Sequence, residues 1–235
     1  MRLDLELVSR GIYPTRAKAV AAIKAGLVTV NGRTAQKPSQ QIADMDEIIG
    51  GALPYVSGRG SLKLLHALDL FGVNPSGYRC LDVGASTGGF TEVLLSRGAA
   101  HVIAVDVGSN QLISEIKNNP RVTSLEQTDI RTLPPVTATD LIVVDVSFIS
   151  LTNIADVLAA WNAPEIIVLI KPQFEVAREI AARTNGVIKS AELHRDAINR
   201  VADCFSKLGY ASYGVIESPI LGGSGNTEFL AYLKK

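Results

Sequence analysis

Cysteine is scarce in this chain of 235 residues, which contains only Cys80 and Cys204. No CxxC or His-rich spacing surrounds them, so neither a disulfide framework nor a zinc site is predicted, and we expect no metal. No run approaches the roughly 18 consecutive apolar residues of a membrane span. The charged start Met1-Arg2-Leu3-Asp4 is unlike a secretory signal. We therefore expect no membrane partner and a cytoplasmic location.

Net charge is also lacking, because 23 basic and 23 acidic residues cancel. Its distribution is uneven: residues 1–63 hold nine Lys or Arg against five Asp or Glu, whereas residues 64–235 hold 14 against 18. A basic N-terminal part is what a phosphate-facing surface needs; a solvated helix face is the alternative. Apolar residues make up 47% of the chain, which is typical of a globular protein with a sizeable core.

The N-terminal residues carry two apolar patterns at helical spacing and then a short apolar run. They predict two short helices, the first ended by Gly11 and the second capped by Thr15 and closed by Gly26. A strand over 27–30 and a tight turn at Asn31-Gly32 follow.

This segment resembles the S4 RNA-binding domain over residues 2–48, in Arg2-Leu3-Asp4, Ser9-Arg10-Gly11 and Gly26-Leu27-Val28-Thr29-Val30-Asn31-Gly32. In that family, paired helices present basic residues to structured RNA. The resemblance implies six RNA-binding candidates, each of which could instead be ordinary surface charge: Arg10, Arg16, Lys18, Lys24, Arg33 and Lys37.

Turn-forming residues in 50–54 and 57–60 predict a linker over residues 49–59. It would join an S4-like domain of residues 1–48 to a domain of residues 60–235. In the larger domain, helical segments alternate with short apolar strands, predicted at 80–83, 101–106, 122–125, 140–145 and 165–171. This alternation predicts an α/β fold with a doubly wound, mainly parallel sheet, whose ligands bind at the carboxyl ends of the strands.

A glycine-rich turn follows the first of these strands, with Gly84, Gly88 and Gly89 spaced as GxxxGG rather than GxGxxG. It resembles the first motif of class I methyltransferases, in which glycine lets the backbone approach the methionine part of S-adenosylmethionine. The alternative is a generic strand-to-helix turn with a buried Asp82. The resemblance implies a Rossmann-like fold and cofactor contacts from Asp82, Gly84, Ala85, Ser86, Thr87, Gly88, Gly89 and Phe90.

Asp106 ends the next predicted strand, where a carboxylate can accept both hydroxyls of a ribose. NAD is therefore a competing cofactor on this feature. Two observations weigh against it: the glycine spacing, and the segment Asp129-Ile130-Arg131, where methyltransferases commonly hold the adenine. The related family more often has Asn at the position of Asp129.

Ionisable residues that packing does not require stand in four distinctive contexts, Leu62-Lys63-Leu64, Asp145-Val146-Ser147-Phe148, Ile170-Lys171-Pro172-Gln173-Phe174-Glu175 and Gly225-Asn226-Thr227-Glu228. Here the chain resembles the TlyA (hemolysin A-type) family, whose catalytic half is similar to the FtsJ ribose 2′-O-methyltransferases and uses a Lys-Asp-Lys-Glu tetrad. The resemblance implies that Lys63, Asp145, Lys171 and Glu228 are catalytic. Asp145 is also expected to contact the cofactor.

The implied reaction is S-adenosylmethionine-dependent methylation of the ribose 2′-hydroxyl of a cytidine in ribosomal RNA, with ribosomal RNA or ribosomal subunits as partners. Lys171 is expected to act as base or to stabilise the developing alkoxide. A structural ion-pair network is the alternative. Phe148 and Phe174 could stack on an RNA base or belong to the core.

Two further functions stay open. One is a non-catalytic RNA-binding or ribosome-assembly factor, which cofactor binding would exclude. The other is a membrane-lysing protein, suggested by the hemolysin name, although the chain has no strongly amphipathic basic helix.

Overall fold

The computed structural model describes residues 1–13, 15–24, 26–51, 58, 60–136 and 138–235. The chain divides into two compact units, Met1–Arg59 and Gly60–Lys235. Most of the predicted linker, 52–57 and 59, lies outside the described residues, so the domain bounds given above stay a prediction. Within the described residues, no helix is long and apolar enough to cross a membrane.

The smaller unit pairs two short helices with a small sheet, in the order β2-β1-β3. Its elements are α1 (Leu3–Ser9), α2 (Arg16–Lys24), β1 (Val28–Val30), β2 (Arg33–Thr34) and β3 (Ile48–Gly50). The Thr15 hydroxyl accepts a hydrogen bond from the Lys18 amide at 3.3 Å, which is the predicted cap of α2. Both residues of the predicted turn, Asn31 and Gly32, have positive φ, as a two-residue hairpin requires. The sheet continues through Gly50, two residues past the predicted end of this domain.

The helices of this unit bury their apolar faces against β1. Leu3, Leu7, Ala19 and Val28 are fully buried, and an aspartate lies among them. The Asp4 carboxylate is also fully buried and is paired with the guanidinium groups of Arg2 at 3.0 Å and Arg16 at 2.8 Å. A buried charge is tolerated only when it is paired in this way.

The larger unit alternates strands and helices along the chain, as predicted. Its elements are α3 (Gly60–Phe71), β4 (Arg79–Val83), α4 (Gly89–Ser96), β5 (His101–Val105), α5 (Ser114–Lys117), β6 (Val122–Leu125), β7 (Leu141–Val144), α6 (Ala155–Ala160), β8 (Glu165–Ile170), α7 (Pro172–Glu175), α8 (Arg178–Arg183), α9 (Ala191–Lys207), β9 (Ala211–Glu217) and β10 (Phe229–Lys234).

These strands form a sheet in the order β6-β5-β4-β7-β8-β10-β9. The first five strands are parallel to one another, and β10 runs antiparallel to both of its neighbours. Nearly every residue of β7 and β8 is buried, which is typical of central strands covered on both faces. The predicted mainly parallel α/β fold is confirmed.

The register of the sheet brings the ends of distant segments to one edge. Val83 of β4 pairs with Val144 of β7, so Asp145 follows at the carboxyl edge. In β8, Ile170 pairs with Phe229 of the antiparallel β10. Lys171 therefore leaves β8 at the edge where Glu228 enters β10.

Candidate active site

Lys171 stands at the carboxyl edge of the sheet with two polar partners. Its ammonium nitrogen lies 2.7 Å from Asp145 Oδ1 and 2.8 Å from the hydroxyl oxygen of Ser147. Only about 10% of the Lys171 side chain is exposed, against 21% for Asp145. The loop after β7 therefore supplies both groups that orient this amine.

Lys63, in the first turns of α3, pairs with Glu228 at the start of β10. Lys63 Nζ lies 2.6 Å from Glu228 Oε2, and both side chains are largely buried. A Cβ built on Gly222 would lie 2.2 Å from Glu228 Oε1, so the backbone of this loop packs directly against the carboxylate. The four predicted catalytic residues thus form two lysine–carboxylate pairs.

A cavity of about 520 Å³ opens at the same edge. Its lining includes five of the predicted cofactor-binding residues, Gly84, Ser86, Asp106, Asp129 and Asp145. Of the other predicted residues, Thr87 is exposed, whereas the remaining ones are buried in or behind the loop: Asp82, Ala85, Gly88, Gly89 and Phe90.

The glycine-rich loop approaches neighbouring backbone closely at Gly84. Its φ is +84°, and a Cβ there would lie 2.4 Å from the carbonyl oxygen of Asp145. Only glycine allows this conformation and this contact without strain. The Asp106 carboxylate fixes the outer side of the loop, accepting hydrogen bonds from the amides of Ser86 at 2.8 Å and Gly108 at 2.7 Å. Asp106 also lines the cavity, and each carboxylate oxygen can accept more than one hydrogen bond.

Asp82 is fully buried at the end of β4. One carboxylate oxygen accepts a hydrogen bond from the Thr91 hydroxyl at 2.6 Å. The other, Oδ1, is buried without a hydrogen-bond partner among the described residues. Desolvation raises the pKa of Asp82 to about 7, opposed by the Thr91 hydrogen bond and assisted by the nearby charge of Asp145. This carboxyl group can therefore carry a proton near neutral pH.

Asp129, the predicted adenine contact, lines the cavity, but its carboxylate is already hydrogen-bonded to Arg131. Both of its oxygens accept hydrogen bonds from the Arg131 guanidinium, at 3.0 Å from Nε. The hydrogen bond from Arg131 keeps the pKa of Asp129 below its ordinary value. A bound base would meet a carboxylate already neutralised by Arg131, which also lines the cavity.

The six predicted RNA-binding residues differ in their surroundings. Arg10 donates hydrogen bonds to Glu6 and to the Asp46 carbonyl, and Arg16 is the partner of Asp4. Lys18 is half-buried, whereas Arg33 and Lys37 are exposed. The side chain of Lys24 lies outside the described part of the chain.

Three contacts around the candidate site were not predicted from the sequence. Ser147 touches Lys171, Thr91 binds Asp82, and Glu126 accepts hydrogen bonds from the amides of Gln111 and Leu112 beside the cavity. Ser147 and Glu126 lie in loops and Thr91 lies in α4. No periodic signal marks a single hydroxyl or carboxylate as the partner of a distant residue, so these pairings depend on the fold. In the described part of the chain, no group of three His, Cys, Asp or Glu is placed to hold a metal ion.

Both units of the chain match known protein families. Residues 55–235 match the FtsJ-like methyltransferase model, and residues 1–48 match the S4 domain. The 16S/23S rRNA (cytidine-2′-O)-methyltransferase TlyA of Mycobacterium tuberculosis is 43% identical over 99% of this chain and 89% of its own. The 23S rRNA (cytidine-2′-O)-methyltransferase TlyA of Campylobacter jejuni is 34% identical over the whole of both chains. The chain belongs to the TlyA family of FtsJ-like methyltransferases.

Solved structures share the fold of this chain. A protein of Streptococcus thermophilus, 39% identical, superposes with a TM-score of 0.75 over all of this chain and 88% of that one. At the level of fold alone, an S-adenosylmethionine-dependent methyltransferase of Mesorhizobium loti, 13% identical, superposes with a TM-score of 0.53 over 77% of this chain and all of that one. The antiparallel β10 also departs from the strand order 3-2-1-4-5-6 of dinucleotide-binding sheets. The match of residues 55–235 to a methyltransferase family favours S-adenosylmethionine over NAD.

Proposed function

We propose that this chain transfers a methyl group from S-adenosylmethionine to the ribose 2′-hydroxyl of a cytidine in ribosomal RNA. The observation that carries the proposal is the Lys171–Asp145 pair, 2.7 Å apart, beside a cavity that Asp145 itself lines. The relatives named as cytidine-2′-O-methyltransferases over nearly the whole chain support the same reaction. Ribosomal RNA or a ribosomal subunit is the proposed partner, and the cytoplasm the proposed compartment.

The residues around the cavity fit S-adenosylmethionine. Asp106 offers a carboxylate for the ribose hydroxyls, and the Gly84 loop leaves room for backbone contact with the methionine part. Asp82 lies behind the glycine-rich loop rather than in the cavity lining, so its charge, once ionised, would act on the cationic end of the cofactor only from a distance. Bound S-adenosylmethionine supplies an electrophilic methyl group on a sulfonium centre.

Lys171 is the proposed residue that acts on the ribose hydroxyl. An ammonium group has three donors, of which Asp145 and Ser147 engage two among the described residues. The third can hold the 2′-oxygen and stabilise its developing charge, while the hydroxyl proton is released to water. A deprotonated Lys171 would instead accept the hydroxyl proton. Either role requires the amine to be held in a fixed orientation.

The Lys63–Glu228 pair is proposed to complete the site. Both side chains are nearly inaccessible to water. Glu228 comes directly before Phe229, which pairs with Ile170, and Ile170 comes directly before Lys171. The pair places a second cation and a second carboxylate at the same edge of the sheet. The proposed role of the Lys63–Glu228 pair is to set the electrostatic potential around Lys171.

Methyl transfer from radiolabelled S-adenosylmethionine to ribosomal subunits, followed by nuclease digestion and mapping of the label, tests the proposal. Label on a ribose 2′-oxygen supports it and names the nucleotide and subunit. Cofactor binding without label on subunits, naked ribosomal RNA or tRNA would point to a different acceptor. Absence of cofactor binding as well would favour a non-catalytic RNA-binding factor.

A further inference from the structure

Glu175 is a buried carboxylate that the proposed chemistry does not use. It lies at the end of α7, four residues after Lys171, and is 2% exposed. Burial raises its pKa above the ordinary value. Because burying an ionisable group is unfavourable, its presence calls for a contact that an apolar side chain could not make.

That contact crosses to the loop after β7. Glu175 Oε2 accepts a hydrogen bond from the Ser150 hydroxyl at 2.5 Å, and Oε1 accepts one from the Leu151 amide at 2.8 Å. Ser150 begins a short 3₁₀ turn over Leu151–Asn153. The backbone carbonyl of Glu175 is itself held by the Arg200 guanidinium of α9 at 3.0 Å. The backbone of Glu175 is thus anchored to α9, and its carboxylate binds Ser150 and Leu151.

The two segments joined in this way are the ones that carry the reactive pair. We define the β7 loop as residues 145–150, which begins with Asp145 and ends with Ser150. The segment from Lys171 to Glu175 faces it. Lys171 bonds to Asp145 and Ser147 at the start of the β7 loop, and Glu175 bonds to its end. Two separate sets of polar contacts therefore bracket the loop, one made by Lys171 and one by Glu175.

The residue between these anchors is conformationally strained. Phe148 has a φ of +65°, which is unfavourable for a bulky L-residue, and its side chain is 92% exposed. Such a conformation is energetically unfavourable and persists only where the surroundings impose it. The exposed ring meets Phe174 at a centroid distance of 5.4 Å but is otherwise little constrained by packing. The residues on either side of Phe148 supply that constraint: Val146 and Ile149 pack against the apolar core, and Ser147 and Ser150 are held by hydrogen bonds.

We infer that Glu175 is a positioning residue that holds the β7 loop in the conformation in which Asp145 and Ser147 contact Lys171. Its effect on methyl transfer rests on the proposed function, whereas its effect on the loop does not. Removal of the carboxylate is expected to let Phe148 relax toward negative φ and so to move Asp145 and Ser147 away from the amine.

The test uses the full-length chain with Glu175→Ala, Glu175→Gln and, as a matched control, Glu179→Ala, which removes an exposed carboxylate of α8. Hydrogen exchange of the backbone amides of residues 146–151 reports on the loop without any activity measurement. In Glu175→Ala these amides are expected to exchange at least about tenfold faster, consistent with loss of a buried hydrogen-bonded group. The amides of β7 should be unchanged. Glu175→Gln should stay close to wild type because its side-chain oxygen can still accept from the Leu151 amide.

Kinetics then separate positioning from a purely structural role. Glu175→Ala is expected to lower kcat about tenfold while KM for RNA and the Kd of S-adenosylmethionine change by less than about threefold. Glu175→Gln should restore most of kcat. Unchanged exchange in Glu175→Ala, or faster exchange with wild-type kcat, would overturn the inference.

If Glu175→Ala fails to fold, Ser150→Ala is tested in its place. It removes one of the two hydrogen bonds that the Glu175 carboxylate accepts, by changing the β7 loop instead of Glu175. Faster exchange of the β7 loop and a lower kcat in Ser150→Ala would support the inference, and wild-type values of both would overturn it. If the wild-type chain transfers no methyl group, the proposed function fails, and the exchange measurement still decides whether Glu175 holds the loop.

Discussion

Lys171 Nζ lies 2.7 Å from Asp145 Oδ1, and the two residues come from neighbouring strands that end at the same edge of the sheet. The pair gives the amine one fixed acceptor and leaves it beside the cavity. This arrangement is what a site needs if it is to orient a poor nucleophile such as a ribose hydroxyl.

Replacement of Lys171 by Ala is expected to abolish methyl transfer while leaving cofactor affinity close to wild type. The side chain contacts Asp145 and Ser147 but is not part of the cavity lining, so its loss removes the acting amine rather than the cofactor site. Transfer assays and equilibrium binding measure the two effects. Lys207→Ala, an exposed lysine of α9, is the control. Full methylation by Lys171→Ala would rule out the assigned role.

Breaking the Lys63–Glu228 pair from one side is expected to be costly. Lys63→Met leaves Glu228 as a buried unpaired charge, which should lower the free energy of unfolding by about 3–5 kcal/mol. The double variant Lys63→Met with Glu228→Gln should recover a large part of that loss, because neither charge is then left alone. Denaturant unfolding of the singles and the double gives the coupling free energy.

Activity in the same set of variants tells a catalytic pair from a structural one. If Lys63 and Glu228 serve the reaction, the double variant is expected to regain stability but not methyl transfer. Recovery of both together would identify the pair as a structural ion pair, which is the alternative that the sequence left open.

Much of the fold could be predicted because its signals are local. The runs of β-branched residues in β5, β7 and β8 end within one residue of the predicted positions. The reversed β10 between β8 and β9 depends on long-range pairing, which no local pattern encodes. For the same reason the sequence indicated four ionisable residues but not their division into two pairs.

The ion pair between Arg16 and Asp4 could have been predicted from the sequence. Asp4 lies between Leu3 and Leu7 on the apolar face of α1, so a buried carboxylate in need of a cation could have been expected there. Arg16 was predicted only as an RNA contact. The structure gives it a structural partner as well, and the two roles need separate measurements.

RNA binding is expected to depend most clearly on Arg33 and Lys37, which are both exposed. Each single Ala variant should weaken binding and reduce the slope of log K against log salt by about 1 per lost phosphate contact. Titrations at several salt concentrations measure the slope. Lys207→Ala should leave it unchanged. Slopes equal to wild type in both variants would remove these two residues from the RNA-binding set.

Arg16→Ala is expected to combine two effects. It should weaken RNA binding in a salt-dependent manner and also destabilise the smaller unit, because Asp4 loses a partner. The hydrogen bond from Arg2, with that from Arg16, lowers the pKa of Asp4 from 3.8 to about 2. A lowered pKa contributes stability that is present above about pH 4 and lost as the pH falls toward 2. The loss of stability in Arg16→Ala should therefore shrink over that range, as acid unfolding would show.

Gly84→Ala is expected to impair the cofactor site. The new Cβ would lie 2.4 Å from the Asp145 carbonyl oxygen at a φ of +84°, so the loop or Asp145 must move. Affinity for S-adenosylmethionine should fall at least about tenfold, which corresponds to about 1.4 kcal/mol.

Gly77→Ala is a matched control, because its φ is +79° with nothing within 4 Å of the added carbon. Gly77→Ala should cost about 1 kcal/mol of stability and leave affinity intact. Equal affinities in the two variants would contradict the close-approach explanation.

Asp82 should give the larger unit an unusual dependence on pH. Burial raises its pKa from 3.8 to about 7, so between these values the folded chain holds a proton that the unfolded chain has released. The folded state then binds more protons, and the free energy of unfolding falls as pH rises from about 4 to about 7, by at most about 4 kcal/mol.

Asp82→Asn removes this titration. The stability of wild type relative to Asp82→Asn should therefore decline across this range and level off above it. Thr91→Val, which removes the hydrogen bond that favours the charged carboxylate, should move the levelling-off to higher pH. Denaturant unfolding at a series of pH values measures both effects, and a flat difference between wild type and Asp82→Asn from pH 4 to 8 would show that folding does not raise the pKa of Asp82.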